Sequence, residues 1–210
     1  MSAYVVAITG ASGAVYGLSL TVELLKRGGD VELVISPSGF LLLKEELGIE
    51  CAGKDGAALK AYIKKRGGGA RAKKGGAKTA AGTLRLHASD DLTASIASGS
   101  ALKRAMVVCP CSMGTLARIA AGISGNLIER AADCVLKERG TLVLVPRETP
   151  LSSIHLENML KLSRMGAVIL PAMPAFYTHP ETVDDMVDFV VGKTLDILGV
   201  ENSLYKRWKK

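Results

Sequence analysis

The stretch YVVAITGASGAVYG, residues Tyr4 to Gly17, decides how the rest of the chain is read. Four apolar residues, Val5 to Ile8, run without interruption into Thr9-Gly10, and Gly13 and Gly17 come after, with Ser12 between Gly10 and Gly13. An apolar run that stops at a glycine turn and passes into a helical pattern reads as a buried strand followed by a helix start. Free backbone N–H groups at such a start bind anions. A nicotinamide-dinucleotide fingerprint needs GxGxxG and an acidic residue closing the second strand, whereas here the spacing is GxxGxxxG and the second strand ends in Ser36. A P-loop is excluded as well, because no Gly-Lys-Ser/Thr follows the first glycine. Hydroxyls and N–H groups without the ribose-binding acid suit the terminal phosphate of a mononucleotide.

Outward from this turn, strand-like runs recur at Tyr4–Thr9, Val31–Ile35, Thr83–His87, Ala105–Cys109, Thr141–Val145 and Ala167–Leu170. Helical patterns lie between most of them. Val15, Leu18, Val22 and Leu25 share a face before the stop at Gly28, and further helices are predicted over Asn126–Arg139, Ser153–Met165 and Thr182–Leu198. Continuous rather than alternating apolar strands, separated by helices, predict an α/β fold with a mostly parallel sheet covered on both faces.

At 210 residues the chain is long enough for one well-buried domain. No apolar run approaches the ~20 residues of a membrane span, and Met1-Ser2-Ala3 leads straight into a strand with no signal-peptide pattern. Cys51, Cys109, Cys111 and Cys134 form no CxxC pair and read as reduced thiols of a cytoplasmic protein. His87, His155 and His179 are too scattered for a local metal site, and no metal is expected. The net charge of +7 is local: Gly56 to Ser89 holds nine basic residues and no acidic one, and the remainder carries 18 basic and 20 acidic residues. Residues 51–82 therefore read as a basic, Gly/Lys-rich mobile insertion within a single domain 1–210. A nucleic-acid-binding arm is the sharper alternative, but only Tyr62 stands near the basic cluster to stack on bases.

Ligands of an open parallel sheet sit outside the carboxyl ends of its strands. In this chain those ends lead into Gly10-Ala11-Ser12-Gly13, Ser36-Pro37-Ser38, Pro110 to Thr115, Pro146-Arg147-Glu148-Thr149 and Pro171 to Tyr177. Ser12, Ser112 and Thr115 read either as phosphate donors or as ordinary N-caps. Arg147 and Glu148 either pair with each other or bind an anion and move a proton. Arg130 and Lys137 share a helix face two turns apart with Asp133 between them, so a salt-bridge ladder is the alternative to anion binding. Tyr177 is either a core tyrosine or a rigidly supported site residue.

Together TGASGA, ASGS (Ala97–Ser100), CPCSMGTL, NLIERAADCVLKER, LVPRETP, SIHLENML, GAVILPAMPAFY and the terminal RW resemble the flavin prenyltransferase (UbiX-like) family over about Tyr4–Glu50 and Asp91–Trp208. The resemblance implies a Rossmann-like three-layer sandwich. It also implies an enzyme that joins the dimethylallyl group of dimethylallyl monophosphate to N5 and C6 of reduced FMN, with phosphate leaving and no metal required. The product, prenylated FMN, serves UbiD-like decarboxylases, and family members assemble as homododecamers with sites between subunits.

Carried over by position, FMN is expected at Gly10, Ala11, Ser12, Ser36, Ser112, Met113, Gly114, Thr115 and Arg147. The prenyl phosphate is expected at Arg130, Lys137, Tyr177 and Lys193, with Trp208 closing the pocket. Glu46 and Glu148 are the expected acid–base or orienting carboxylates, and Ser12 and Lys137 complete the catalytic set. The rival of similar fold, a flavin-dependent cysteine decarboxylase, calls for a histidine after the first helix, where this chain has Lys26-Arg27-Gly28. A non-catalytic FMN carrier would not need the second phosphate set.

Overall fold

The computed structural model describes residues 3–50, 56–68, 82–99 and 105–208. Six strands, β1 (Ala3–Ile8), β2 (Asp30–Ile35), β3 (Leu84–His87), β4 (Ala105–Cys111), β5 (Thr141–Pro146) and β6 (Val168–Ile169), form one sheet in the order β3-β2-β1-β4-β5-β6. Every pairing is parallel. The helices are α1 (Ala14–Lys26), α2 (Pro37–Leu47), α3 (Ala57–Gly68), α4 (Met113–Ala120), α5 (Leu127–Lys137), α6 (Ser153–Arg164) and α7 (Val183–Ile197). This is the expected Rossmann-like α/β sandwich.

The central strands β1, β4 and β5 read as nearly continuous apolar runs because both of their faces are covered. Val6 and Ile8 of β1 pack into one core with Leu18 of α1 and Val187, Val190 and Leu195 of α7. Val5 and Ala7 point the other way, into a second core with Leu116 of α4, Ile128 and Ala131 of α5 and Leu162 of α6. One sheet thus separates α1, α3 and α7 from α4, α5 and α6.

The four helices read from periodicity are present as α1, α5, α6 and α7. Polar N-caps fix the starts of the last three: Asn126, Ser152 and Thr182 accept from Glu129, His155 and Asp185 N–H. Periodicity alone does not delimit α2, α3 and α4. Of the expected mobile insertion 51–82, residues 57–68 form α3, which buries Leu59 and Ile63 one turn apart against the core. Near its end Arg66 bonds Ser19 Oγ and Asp184, each at 2.9 Å. Averaging composition over the whole segment hides this i, i+4 pair; 51–55 and 69–81 lie outside the described residues.

Candidate active site

Strand order reverses between β1 and β4, and the crevice outside their carboxyl ends is where this architecture binds ligands. Thr9, buried at the end of β1, closes the floor. Its hydroxyl donates to Pro110 O at 2.9 Å and accepts from Ser112 N–H at 2.8 Å. The loops after β1 and β4 are therefore tied to each other. Sequence reasoning passes over Thr9, though a lone threonine ending an apolar strand is its signal.

Three helix starts meet this crevice. Gly13, at φ 103° in the left-handed region that glycine alone enters without strain, caps α1. Its N–H reaches both carboxylate oxygens of Glu46 at 3.0 Å, and Ala14 N–H reaches Oε2 at 2.9 Å. Glu46, expected as an acid–base or orienting group, thus occupies the anion-binding end of α1 as an exposed cap. Ser36 caps α2 by accepting from Gly39 N–H at 3.0 Å. Ser112 caps α4 by accepting from Thr115 N–H at 3.3 Å, and it meets the buried Thr115 hydroxyl at 3.0 Å. Of the three hydroxyls with an N-cap alternative, Ser112 is a cap and Thr115 completes it, whereas Ser12 is not, since Gly13 caps α1; Ser36, expected at FMN, is also an N-cap. These caps leave the N–H groups of Ser38, Met113 and Gly114 without a partner among the described residues. Gly10 lies against Ser38, whose Cβ would stand 2.6 Å from a Cβ added at Gly10. Uncapped N–H groups of α2 and α4 beside exposed Gly10 and Ser12 form a donor set that fits a phosphate monoester.

Arg147 and Glu148 leave β5 exposed at the same edge. Arg147 Nε donates to Ser12 O at 3.3 Å, placing a guanidinium beside the first loop. Among the described residues Arg147 and Glu148 form no ion pair with each other, so the pairing alternative does not hold; Glu148 Oε1 accepts from Thr149 N–H at 3.1 Å. Beneath them, burial pushes the Cys109 thiol far up and the Cys111 thiol up to about 12. Both are neutral at neutral pH, which removes them as nucleophiles.

The residues expected to hold a prenyl phosphate are split between the faces of the sheet. On α5, Arg130 pairs with Asp133 at 2.8 Å and bonds Ala97 O at 3.1 Å. Lys137 meets Glu138 at 2.5 Å, and that hydrogen bond holds its ammonium above the usual lysine range. Among the described residues no ladder runs through Asp133 to Lys137. On the other face, Lys193 is exposed on α7, without an ion-pair partner among the described residues. Tyr177 stacks edge-on with Trp208 at 5.1 Å and with Phe189 at 6.0 Å. One chain brings together Ser12, Arg147 and the α2 and α4 starts; it does not bring Arg130 and Lys137 to Lys193 and Tyr177. Among the described residues no cluster of His, Cys, Asp or Glu is placed to hold a metal ion.

The profile of the Flavoprotein family matches residues 2–195. The flavin prenyltransferase UbiX of Halalkalibacterium halodurans is 51% identical over 98% of this chain and 92% of its own length. A crystal structure of AnUbiX (PadA1) in complex with FMN and dimethylallyl pyrophosphate is 36% identical, with TM-score 0.82 over 100% of this chain and 98% of that one. A dodecameric FMN-dependent UbiX-like decarboxylase from Escherichia coli O157:H7 is 41% identical, with TM-score 0.81 over 99% of this chain and 100% of that one. Full-length identity of this size, over a glycine turn that lacks the dinucleotide signature, makes this chain a member of the flavin prenyltransferase (UbiX) family of flavoproteins.

Proposed function

We propose that this protein is a flavin prenyltransferase that transfers the dimethylallyl group of a dimethylallyl phosphate to reduced FMN. The observation that carries the reading is the donor set at the switch point: unpartnered N–H groups at the starts of α2 and α4, with Arg147 on Ser12 O. Gly10, Ala11, Ser12, Ser36, Met113, Gly114 and Arg147 line the FMN subsite, and Ser112 and Thr115 hold the start of α4 in place for it.

When bound, reduced FMN supplies nucleophilic ring positions N5 and C6. The chain has to stabilise charge on the other partner. Breaking the allylic C–O bond leaves negative charge on phosphate, and Arg130, Lys137 and Lys193 stabilise it, as a metal does in diphosphate chemistry. The ring faces of Tyr177 and Trp208 stabilise the positive charge that develops on the prenyl group. Glu148, unpaired with Arg147, is free to take the proton released when a ring carbon is alkylated.

The split of these cations between two faces supports a site completed by a neighbouring subunit, in a homododecamer like the E. coli structure. Exposed Ile154, Leu156 and Leu160 on α6 offer apolar surface for such an assembly. The buried free thiols Cys109, Cys111 and Cys134 suit a reducing, cytoplasmic setting. The product is suited to UbiD-like decarboxylases.

Mass spectrometry of flavin extracted after anaerobic incubation with reduced FMN and dimethylallyl monophosphate, or in parallel the pyrophosphate, tests the reading. A mass gain of one prenyl unit with the monophosphate is expected. Unmodified FMN with both donors would overturn it. Riboflavin in place of FMN should bind far more weakly, since each lost charged hydrogen bond costs about 1.5–3 kcal/mol.

A further inference from the structure

The segment after α7 turns back along that helix, tied near its start by Arg27 Nε on Glu201 O at 2.9 Å, and one carboxylate gathers the side chains that follow. Asp196, in the last turn of α7, accepts from Asn202 Nδ2 at 2.8 Å, from Tyr205 OH at 2.6 Å and from Arg207 Nη1 and Nη2 at 2.5 and 2.6 Å. Three residues of the returning segment thus converge on one side chain. Gly192, one turn earlier, provides the notch: a Cβ there would stand 2.5 Å from the Tyr205 ring and 3.0 Å from Asn202 Oδ1. The Arg207 guanidinium also lies over the Tyr205 ring at 4.7 Å. Beyond Arg207 the chain delivers Trp208 to Tyr177, and Phe189 ties the two ends of the aromatic row by meeting Tyr177 at 6.0 Å and Tyr205 at 5.0 Å.

Trp208 is 64% exposed, so little apolar burial holds it where it is. A bidentate arginine–carboxylate pair with two further donors is a strong, geometrically specific anchor by comparison. We propose that Asp196 is a positioning residue for the prenyl donor: by clamping Asn202, Tyr205 and Arg207 it keeps Trp208 seated on Tyr177 at the donor subsite. This rests on the functional reading above. Asp196 touches no reactant; it sets the fraction of molecules in which the aromatic wall stands ready.

Trp208 is the sole tryptophan of the chain, so its emission reports on the segment directly. Asp196→Asn and Arg207→Ala break the clamp from opposite sides, and the second alters an external segment where misfolding is not at issue. Both should shift Trp208 emission to the red and raise its acrylamide quenching, with FMN affinity unchanged. KM for dimethylallyl monophosphate should rise about tenfold, the penalty when the competent fraction falls to about a tenth, while kcat at saturation changes far less. The double variant should be no worse than Asp196→Asn alone, because the Arg207 bonds are among those that the change at Asp196 already disrupts. Unchanged emission in both variants would overturn the clamp, and a released Trp208 with unchanged KM would overturn its positioning role. Failure of the unaltered protein to prenylate FMN would instead overturn the functional reading, while emission and quenching still decide the clamp.

Discussion

Glu46 and Gly13, 33 positions apart, are joined by a carboxylate that receives the Gly13 N–H on both oxygens at 3.0 Å. The helix end that the sequence offers to a phosphate is thereby filled from within the chain, and the phosphate-suited donors are those of the neighbouring helix starts. An anion at a helix N-terminus is stabilising through the orphan N–H groups and the helix dipole.

Glu46→Gln should accordingly cost stability. Removing the charge and one acceptor at a cap is worth about 0.5–2 kcal/mol. Thermal melts should show the loss, and single-turnover prenylation should slow far less than in the Glu148 variant below. A wild-type melt with collapsed chemistry would return Glu46 to the acid–base role.

Thr9→Val removes the hydroxyl that bridges Pro110 O and Ser112 N–H. A buried donor left without a partner costs about 1–3 kcal/mol, and FMN should bind more weakly as the start of α4 loses its tie to β1. Thr9→Ser keeps the bridge and should stay close to wild type. Equal melting and equal FMN titrations for the valine variant would show that the bridge carries no weight.

Glu148→Gln keeps shape while losing basicity. FMN affinity should be unchanged and prenylation should slow by about 10²–10⁴-fold, the usual worth of general acid–base catalysis. Stopped-flow spectra of the reduced flavin, with melts of the same variant, check this. Turnover at the wild-type rate would shift the proton to Glu46 or to the departing phosphate.

The Asp196 clamp should hold over a wide but bounded pH range. Burial disfavours the Asp196 carboxylate, but hydrogen bonds from Arg207, Tyr205 and Asn202 outweigh this and hold its pKa below the ordinary 3.8. Its contribution to stability is complete above that value and lost as pH falls through the lower folded pKa. Burial first, and then the Asp196 carboxylate, push Tyr205 from 10.0 up to about 12. A raised pKa stabilises fully below the unfolded value and fades as pH rises toward the folded one. Trp208 emission should be flat from about pH 4 to 10 and change on either side. Tyr205→Phe should remove the alkaline limb alone, and a limb unchanged in that variant would contradict the assignment.

The sequence by itself determined the architecture, and with it the sheet edge at which this architecture binds ligands. Val5 to Ile8 and Leu142 to Val145 are unbroken apolar runs because a parallel sheet is covered on both faces, and that signal is local. The absence of an acid after β2 and of a P-loop lysine is local too, and it narrows the phosphate before any contact is known. Tertiary structure alone decided what each polar group does. Whether Glu46 meets Gly13, Thr9 meets Ser112 or Asp196 meets Arg207 depends on segments 33, 103 and 11 residues apart. Whether Arg130 and Lys193 share a face depends on which side of the sheet each crossover helix takes. Periodicity records that a side chain is buried or exposed; it does not record which distant partner it finds. Hydrogen bonds and ion pairs act over a few ångströms, and only the packed sheet sets those distances.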